Sequence, residues 1–372
     1  MKTQLSSLDI HYLIKELKLL INARVDNIYS PTKKELLIQF YVSSKGKKIL
    51  KVLAGKFFYL SETKGSFEEP SQFCMFLRKY LNNSRLKSVS QKESERIIEL
   101  LFETKEKKLK LIIEFFSTGN ILLCNKDDLI LSAIEYNKWK DREVRPKVKY
   151  NYPKKDYNLF NIKETDLTTL INNSKKDKLV TALAVELGIG GLYAEELCTL
   201  SKINKATEPS EIDQDQIKLI LKAVKEITTK TISPLIYYEN DEVKEITPFK
   251  LNLLSKLKSK EFKTFNESLD YYFLNEYKEP KKETKFEIEI KKLKAITQKQ
   301  KDHIDELAIE REENKEKAEE IYNHYKTLGN IIEEINTASK KFTWKEIKGR
   351  LKGHKLIKEL NLKEKKILVE IK

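Results

Sequence analysis

The chain has 372 residues, enough for two or three domains and at least one sizeable core. Charged residues make up 35% of it, and 72 Lys and Arg against 57 Asp and Glu leave a formal net charge of +15, a surplus that favours RNA, DNA or an anionic surface as partner. No run approaches the roughly 20 apolar residues of a bilayer span, and Asp9, His11, Lys15 and Glu16 interrupt the N-terminal apolar run that a signal peptide needs. A soluble, cytoplasmic protein with no membrane partner is therefore expected. Cys74, Cys124 and Cys198 are isolated, odd in number and set among apolar neighbours, which suits reduced core thiols. Four scattered His and no CxxC or HExxH spacing give no reason to expect a metal or a cofactor.

Taken in chain order, Ser6 or Ser7 is placed to cap a first helix running to about Asn22, with Leu8, Tyr12, Leu13, Leu17, Leu20 and Ile21 on its apolar face. Residues 36–42, 48–53 and 57–60 are β-rich runs separated by Gly46 and Gly55, the pattern of an antiparallel meander. A short helix over 71–81 interrupts it, and strands are expected at 85–89, 96–102, 109–116, 121–124 and 129–136. Residues 1–157 thus read as an α+β domain built on an antiparallel sheet.

That domain ends on a basic loop, residues 137–153, NKWKDREVRPKVKYNYP. From 138 to 155 it holds eight cations (Lys138, Lys140, Arg142, Arg145, Lys147, Lys149, Lys154 and Lys155) against Asp141 and Glu143. Trp139, Tyr150 and Tyr152 stand among them, flat faces that can stack on bases while the cations neutralise phosphates. Pro146 and Pro153 keep the segment extended. Such a loop is either a nucleic-acid contact or a solvated basic turn, and the interleaved aromatics favour the first.

Beyond Asp156 the apolar period becomes 3.6, and residues 158–280 read as a helical domain with segments at 162–171, 178–187, 192–200 and 214–229. Gly188, Gly190 and Gly191 fall within four residues between two of these helices, either a helix-hairpin-helix turn whose amides grip a phosphate or a compact connector. Residues 281–340 carry a coiled-coil seam through Leu293, Ile296, Gln300, His303, Leu307, Glu310 and Asn314, then Ala318, Ile321, Tyr325, Leu328, Ile332 and Ile335, with one stutter at 314–318. Residues 341–372 form a small α/β module that stops on ILVEIK, as in a truncated chain without the returning arm of the seam.

These parts, in this order, resemble the NFACT family of ribosome-associated quality-control factors, the RqcH and NEMF proteins. FCMFLRK at 73–79 is similar to the family's FCMxLRK helix, SERII at 94–98 to its DRI strand start and EFFSTGNIL at 114–122 to the strand that follows. Residues 139–153 resemble its DREVRPGxxYxxPP loop, 187–196 its helix-hairpin-helix, and the seam after Phe286 its coiled coil. The resemblance implies an N-terminal domain folded like that of formamidopyrimidine DNA glycosylases, then a helix-hairpin-helix domain and a coiled-coil arm. It also implies a protein that binds a large ribosomal subunit obstructed by peptidyl-tRNA, holds an aminoacylated tRNA, such as alanyl-tRNA, and promotes mRNA-independent tailing of the stalled chain. A protein partner would bind the coiled coil.

On this resemblance the tRNA-binding residues are Glu95, Arg96, Glu114, Lys138, Lys140, Asp141, Arg142, Arg145, Lys147 and Tyr150, with Gly188, Gly190 and Gly191 in the hairpin. Two positions depart from the family pattern. Glu95 replaces the usual Asp, and Lys147 follows Pro146 where the family has Gly, a gain of charge but a strain if a left-handed backbone is needed. No catalytic residue is expected, because the ribosome makes the peptide bonds. A glycosylase of the related fold would need an N-terminal proline with an adjacent Glu, whereas this chain begins Met1-Lys2-Thr3. Asp127-Asp128 and Glu68-Glu69 sit in turns without a His. The alternative reading is a DNA-binding or repair accessory protein using the same loop and hairpin.

Overall fold

Ser6 starts the first helix. Its hydroxyl accepts from the Asp9 amide at 3.1 Å and Asp9 Oδ2 accepts from the Ser6 amide at 2.7 Å, which satisfies two of the amides a helix N-terminus leaves open. Helix α1 (Ser7–Leu17) then buries Leu8, Tyr12, Leu13 and Leu17. It ends five residues before Asn22, in a 3-10 turn, and the left-handed Asn22 (φ 66°) redirects the chain into the sheet.

The computed structural model describes residues 2–43, 45–64, 69–104, 106–139, 142–153, 155–277, 285–351, 354, 356–361 and 366–370. Lys140, Asp141, Lys154 and Glu68 lie outside them. Two units divide the chain, Met1–Lys278 and Glu279–Lys372.

In the first unit, β1 (Arg24–Tyr29), β2 (Glu35–Val42), β3 (Gly46–Leu53) and β4 (Phe57–Ser61) precede helix α2 (Gln72–Leu81). Strands β5 (Arg85–Gln91), β6 (Ile97–Glu103), β7 (Lys108–Glu114), β8 (Asn120–Asn125) and β9 (Ile130–Ala133) follow. All nine make one antiparallel sheet in the order β4-β3-β2-β1-β5-β6-β7-β8-β9. Strand β1 has no counterpart in the sequence reading, because Asp26 and Asn27 interrupt its alternation; a bulge between Val25 and Asn27 absorbs them while Val25 and Ile28 stay buried. Two glycine turns meet across the sheet: a β-carbon on Gly119 (φ 72°) would lie 2.0 Å from the Gly55 nitrogen, and Gly55 (φ 78°) donates its amide to the Glu114 carbonyl at 3.2 Å. The basic loop folds into a short hairpin of β10 (Asn137–Lys138) and β11 (Glu143–Val144).

Helices α3 (Glu164–Asn172), α4 (Leu179–Glu186), α5 (Gly191–Ser201) and α6 (Gln214–Thr229) match the four expected segments. The helical period does not continue, however. Strands β12 (Leu235–Glu239), β13 (Glu242–Thr247) and β14 (Lys258–Glu261) make a three-stranded antiparallel sheet, so 158–280 is a mixed rather than a helical region. Asn240 and Asp241, both at positive φ (52° and 58°), supply the two-residue turn that the twist of a hairpin demands. Helix α7 (Phe265–Asn275) returns to the large sheet. Glu16 accepts from the Phe265 and Asn266 amides at 2.7 and 2.9 Å, and the Phe273 ring stacks on Tyr59 at 4.8 Å. The main apolar cluster runs from Leu5 to Tyr272, continuous across the boundary expected at residue 157, and a smaller one joins Ile97, Ile112 and Leu122 to Val144 and Tyr150 of the basic loop.

In the second unit, α8 (Lys285–Asn323) is a 39-residue helix whose seam side chains Leu293, Ile296, Leu307 and Ile321 are exposed. His324 separates it from α9 (Tyr325–Ser339), so the long helix is interrupted inside the expected seam. Ile331 and Ile335 of α9 pack with Ile357, joining α10 (Trp344–Arg350) and the hairpin of β15 (Ile357–Asn361) and β16 (Lys366–Val369).

Candidate nucleic-acid interface

The basic loop is held from below by a buried carboxylate. Glu114, the last residue of β7, has a side chain 4% exposed; its Oε1 pairs with the Arg142 guanidinium and accepts from the Tyr150 hydroxyl at 2.8 Å. Arg142, 13% exposed, also lies over the rings of Phe116, Trp139 and Tyr150, 5.0 to 5.5 Å from their centroids. Burial lowers its pKa, and burial likewise raises that of Tyr150. A second set stands beside it. Tyr152 donates to Glu99, while Lys110 pairs with Asp128 at 2.7 Å and meets Glu99 at 4.0 Å. The loop is thus preformed by polar pairs that span β6, β7 and the loop itself.

This arrangement sorts residues that look alike in sequence. Arg142 and Tyr150 face inward, and Glu114 serves them both. Tyr150 is buried and offers no face for stacking, whereas Trp139 is 49% exposed. Lys138, Arg145, Lys147 and Lys149 are exposed; Arg145, 64% exposed, meets Glu143 at 3.0 Å. Lys147 has φ 69°, so the position does need a left-handed backbone, and its amide is spent on the Ile130 carbonyl at 2.8 Å.

A cleft of about 1000 Å³ opens beside the loop, with Phe116 shared between them. One wall is residues 2–6 and the Ser94–Glu95–Arg96 turn; the other is the Gly188–Gly190–Gly191 turn and the start of α5. Gly188 and Gly190 take φ 65° and 85°, which brings the first-turn amides of α5 to the cleft with no side-chain cap. Lys155 bridges the walls: its Nζ lies 3.6 Å from Glu95, donates to Ser94 at 3.3 Å, and would sit 2.6 Å from a β-carbon on Gly188. At the floor, the buried Lys2 ammonium donates to Asp9 at 3.1 Å and to the Ile246 carbonyl at 2.6 Å, and pairs with Glu245 at 3.1 Å; Tyr193 donates to Asp9 at 2.6 Å. Burial opposes the Lys2 charge, but Asp9 and Glu245 outweigh it and hold the pKa above its usual value.

Arg96 differs from the other cations of the cleft. Lys2 and Lys155 are committed to carboxylates, whereas the half-buried Arg96 side chain has no hydrogen bond or ion pair among the described residues. Desolvation lowers its pKa and the nearby Glu95 charge partly offsets this. Arg96 and the glycines are visible as local motifs, but Lys2 and Asp9 are joined to Tyr193 and Glu245 only by the fold. No group of three or more metal-ligating side chains occurs among the described residues, and no described helix is long and apolar enough to cross a membrane.

A family model described as the NFACT N-terminal and middle domains matches residues 6–366. The chain belongs to the NFACT family. Over its whole length it is 29% identical to a protein of Methanocaldococcus jannaschii named archaeal Rqc2 homolog aRqcH, of which it spans 59%. The mouse ribosome quality control complex subunit NEMF is 31% identical over 41% of this chain and 14% of its own length. Among solved structures, a fibrinogen binding protein from Staphylococcus aureus aligns with a TM-score of 0.61 at 17% identity, covering 72% of this chain and 98% of its own. That likeness is one of fold alone, and it places this NFACT chain with mixed helix and antiparallel-sheet proteins.

Proposed function

We propose that this NFACT protein is a cytoplasmic ribosome-associated quality-control factor. It binds the obstructed large ribosomal subunit, holds an aminoacylated tRNA and promotes mRNA-independent tailing of the stalled chain. The names of the archaeal and mouse relatives support the quality-control setting. The observation that carries the RNA contact is Arg96, a half-buried guanidinium with no hydrogen bond or ion pair among the described residues, at a cleft whose opposite wall ends in uncapped helix amides. An arginine so placed is desolvated in advance and gains a charge-assisted bond when a phosphate arrives.

In this reading the Gly188–Gly191 turn is a helix-hairpin-helix that offers main-chain amides to the backbone. Lys138, Arg145, Lys147 and the exposed Trp139 meet the RNA from the loop, Lys140 and Asp141 belong to the same loop, and Glu95 restrains Lys155 beside Arg96. Arg142, Glu114 and Tyr150 position that surface rather than touch the ligand. The α8 seam is one arm of a coiled coil that reaches a protein partner. The protein's part in tailing is positioning, with bond formation left to the ribosome.

Arg96→Ala tests this. It should lower tRNA affinity about tenfold at ~0.15 M salt and make the log–log salt dependence shallower by about one unit. Unlabelled tRNA should displace the bound tRNA better than duplex DNA of equal charge. Unchanged affinity in the variant would remove the cleft from the binding surface, and equal competition by DNA would make the protein a general nucleic-acid binder.

A further inference from the structure

A larger excess of positive charge than that of the basic loop lies outside both the loop and the cleft. Residues 340–372 hold twelve Lys and Arg against four Asp and Glu, +8 of the total of +15, in 33 residues. The preceding 285–339 hold ten against thirteen. In that region carboxylates answer the cations along the helix, as in Lys315–Glu312 at 3.3 Å and Lys317–Glu313 at 3.7 Å. The module has no such balance.

Packing decides which of its cations face solvent. Thr343 and Glu346 close a capping box at the start of α10, which occupies the Glu346 carboxylate with the Thr343 amide and hydroxyl, both at 2.8 Å. Trp344, Ile347 and Leu351 recur at helical spacing and turn inward, Trp344 and Leu351 onto the cluster of Ile331, Ile335 and Ile357. Lys345 and Lys348 are thereby left on one exposed flank of α10, with exposed Lys340 and Lys341 in the turn before it. None of these four ammonium groups has an ion pair among the described residues. Arg350 lies 3.9 Å over the exposed ring of Phe342, and Glu370 is engaged with Lys358 at 2.7 Å.

Four unneutralised lysines within nine residues repel one another, and that repulsion is relieved by a partner of dense opposite charge. The large apolar side chains of α10 are used in the module's own core, so the helix offers no apolar face to a bilayer. The unpaired lysines and the arginine–aromatic stack suit a phosphodiester backbone. We infer that α10 and the turn before it form a second polyanion site, separate from the cleft, that docks the second unit onto the phosphate backbone of structured RNA.

The test uses the full chain with Lys340, Lys341, Lys345 and Lys348 all changed to Gln, a short RNA hairpin as probe, and phosphatidylglycerol vesicles as the competing surface. Affinity for the hairpin should fall at least about tenfold at ~0.15 M salt, with a salt dependence shallower by about three units. The same four positions changed to Arg should restore both. An unchanged slope, or a loss of vesicle binding as large as the loss on RNA, would overturn the assignment. Because Arg96→Ala is measured in parallel on tRNA, failure of this site and failure of the cleft are separate results.

Discussion

Arg142 and Glu114, 28 residues apart, form a buried ion pair beneath the basic loop, and the Tyr150 hydroxyl donates to the same carboxylate oxygen at 2.8 Å. Removing one partner leaves the other charged and desolvated, which costs on the order of 3–5 kcal/mol where such a pair is fully buried. Glu114→Gln and Arg142→Ala should therefore loosen residues 142–153, read as faster amide exchange there. Arg145→Ala should change stability by less than about 0.5 kcal/mol yet make RNA binding less salt-dependent by about one unit. Equal effects of Arg142→Ala and Arg145→Ala on the salt slope would contradict the division between positioning and contacting arginines.

Lys147 stands in the left-handed region at φ 69°, where a side chain costs about 1–2 kcal/mol and glycine nothing steric. Lys147→Gly should raise the unfolding free energy by about 0.5–1 kcal/mol after the added entropy of the unfolded chain is counted. Urea unfolding measures this, and Lys147→Ala, which keeps the strain, should give no gain. The glycine variant should at the same time bind RNA more weakly, having lost an exposed cation.

Burial, with Lys15 close by, lowers the His11 pKa from 6.5 to about 4, and the ring stacks on Phe160 at 4.3 Å. The fold keeps this ring neutral, while the unfolded chain takes up its proton near 6.5. In between, the unfolded state binds more protons, so the contribution is complete above about pH 6.5 and is lost as the pH falls toward 4. With allowance for solvent screening of a partly exposed ring, the loss is about 1–2 kcal/mol. Unfolding curves across this window should show the slope, and His11→Phe should flatten it.

Gly119 and Gly55 touch through their backbones, and a β-carbon at Gly119 would lie 2.0 Å from the Gly55 nitrogen. Gly119→Ala should cost more than about 3 kcal/mol, since neither main chain can step aside. Gly46 has a similar φ of 71° but open space around it, so Gly46→Ala should cost only about 1 kcal/mol. Thermal unfolding of the two variants compares them directly, and equal losses would show that φ alone, rather than contact, sets the cost.

Much of the fold was legible because alternation and helical period are local signals. Strands β2 to β8 and helices α1 to α6 each show one apolar face in sequence. Strand β1 was hidden by a bulge at Asp26, whose polarity breaks the alternation that a strand is recognised by. The β12–β13 hairpin carried a readable turn in Asn240-Asp241, but two flanking runs of five and six residues are too short to stand out among helices. Arg96 and the glycine cluster were visible as local motifs; the floor of the cleft was not, since Lys2, Asp9, Tyr193 and Glu245 meet only after the chain has folded.

The sequence by itself determined the excess of positive charge, the antiparallel sheet, the four helices after it and the family. The tertiary structure alone decided which cations are free. Arg142 and Arg145 sit three residues apart in the same basic loop, and only the carboxylate of Glu114, brought beneath one of them by β7, makes the first a support and leaves the second exposed. Charge is written residue by residue, but its availability depends on burial and on partners that the chain places next to it from far away.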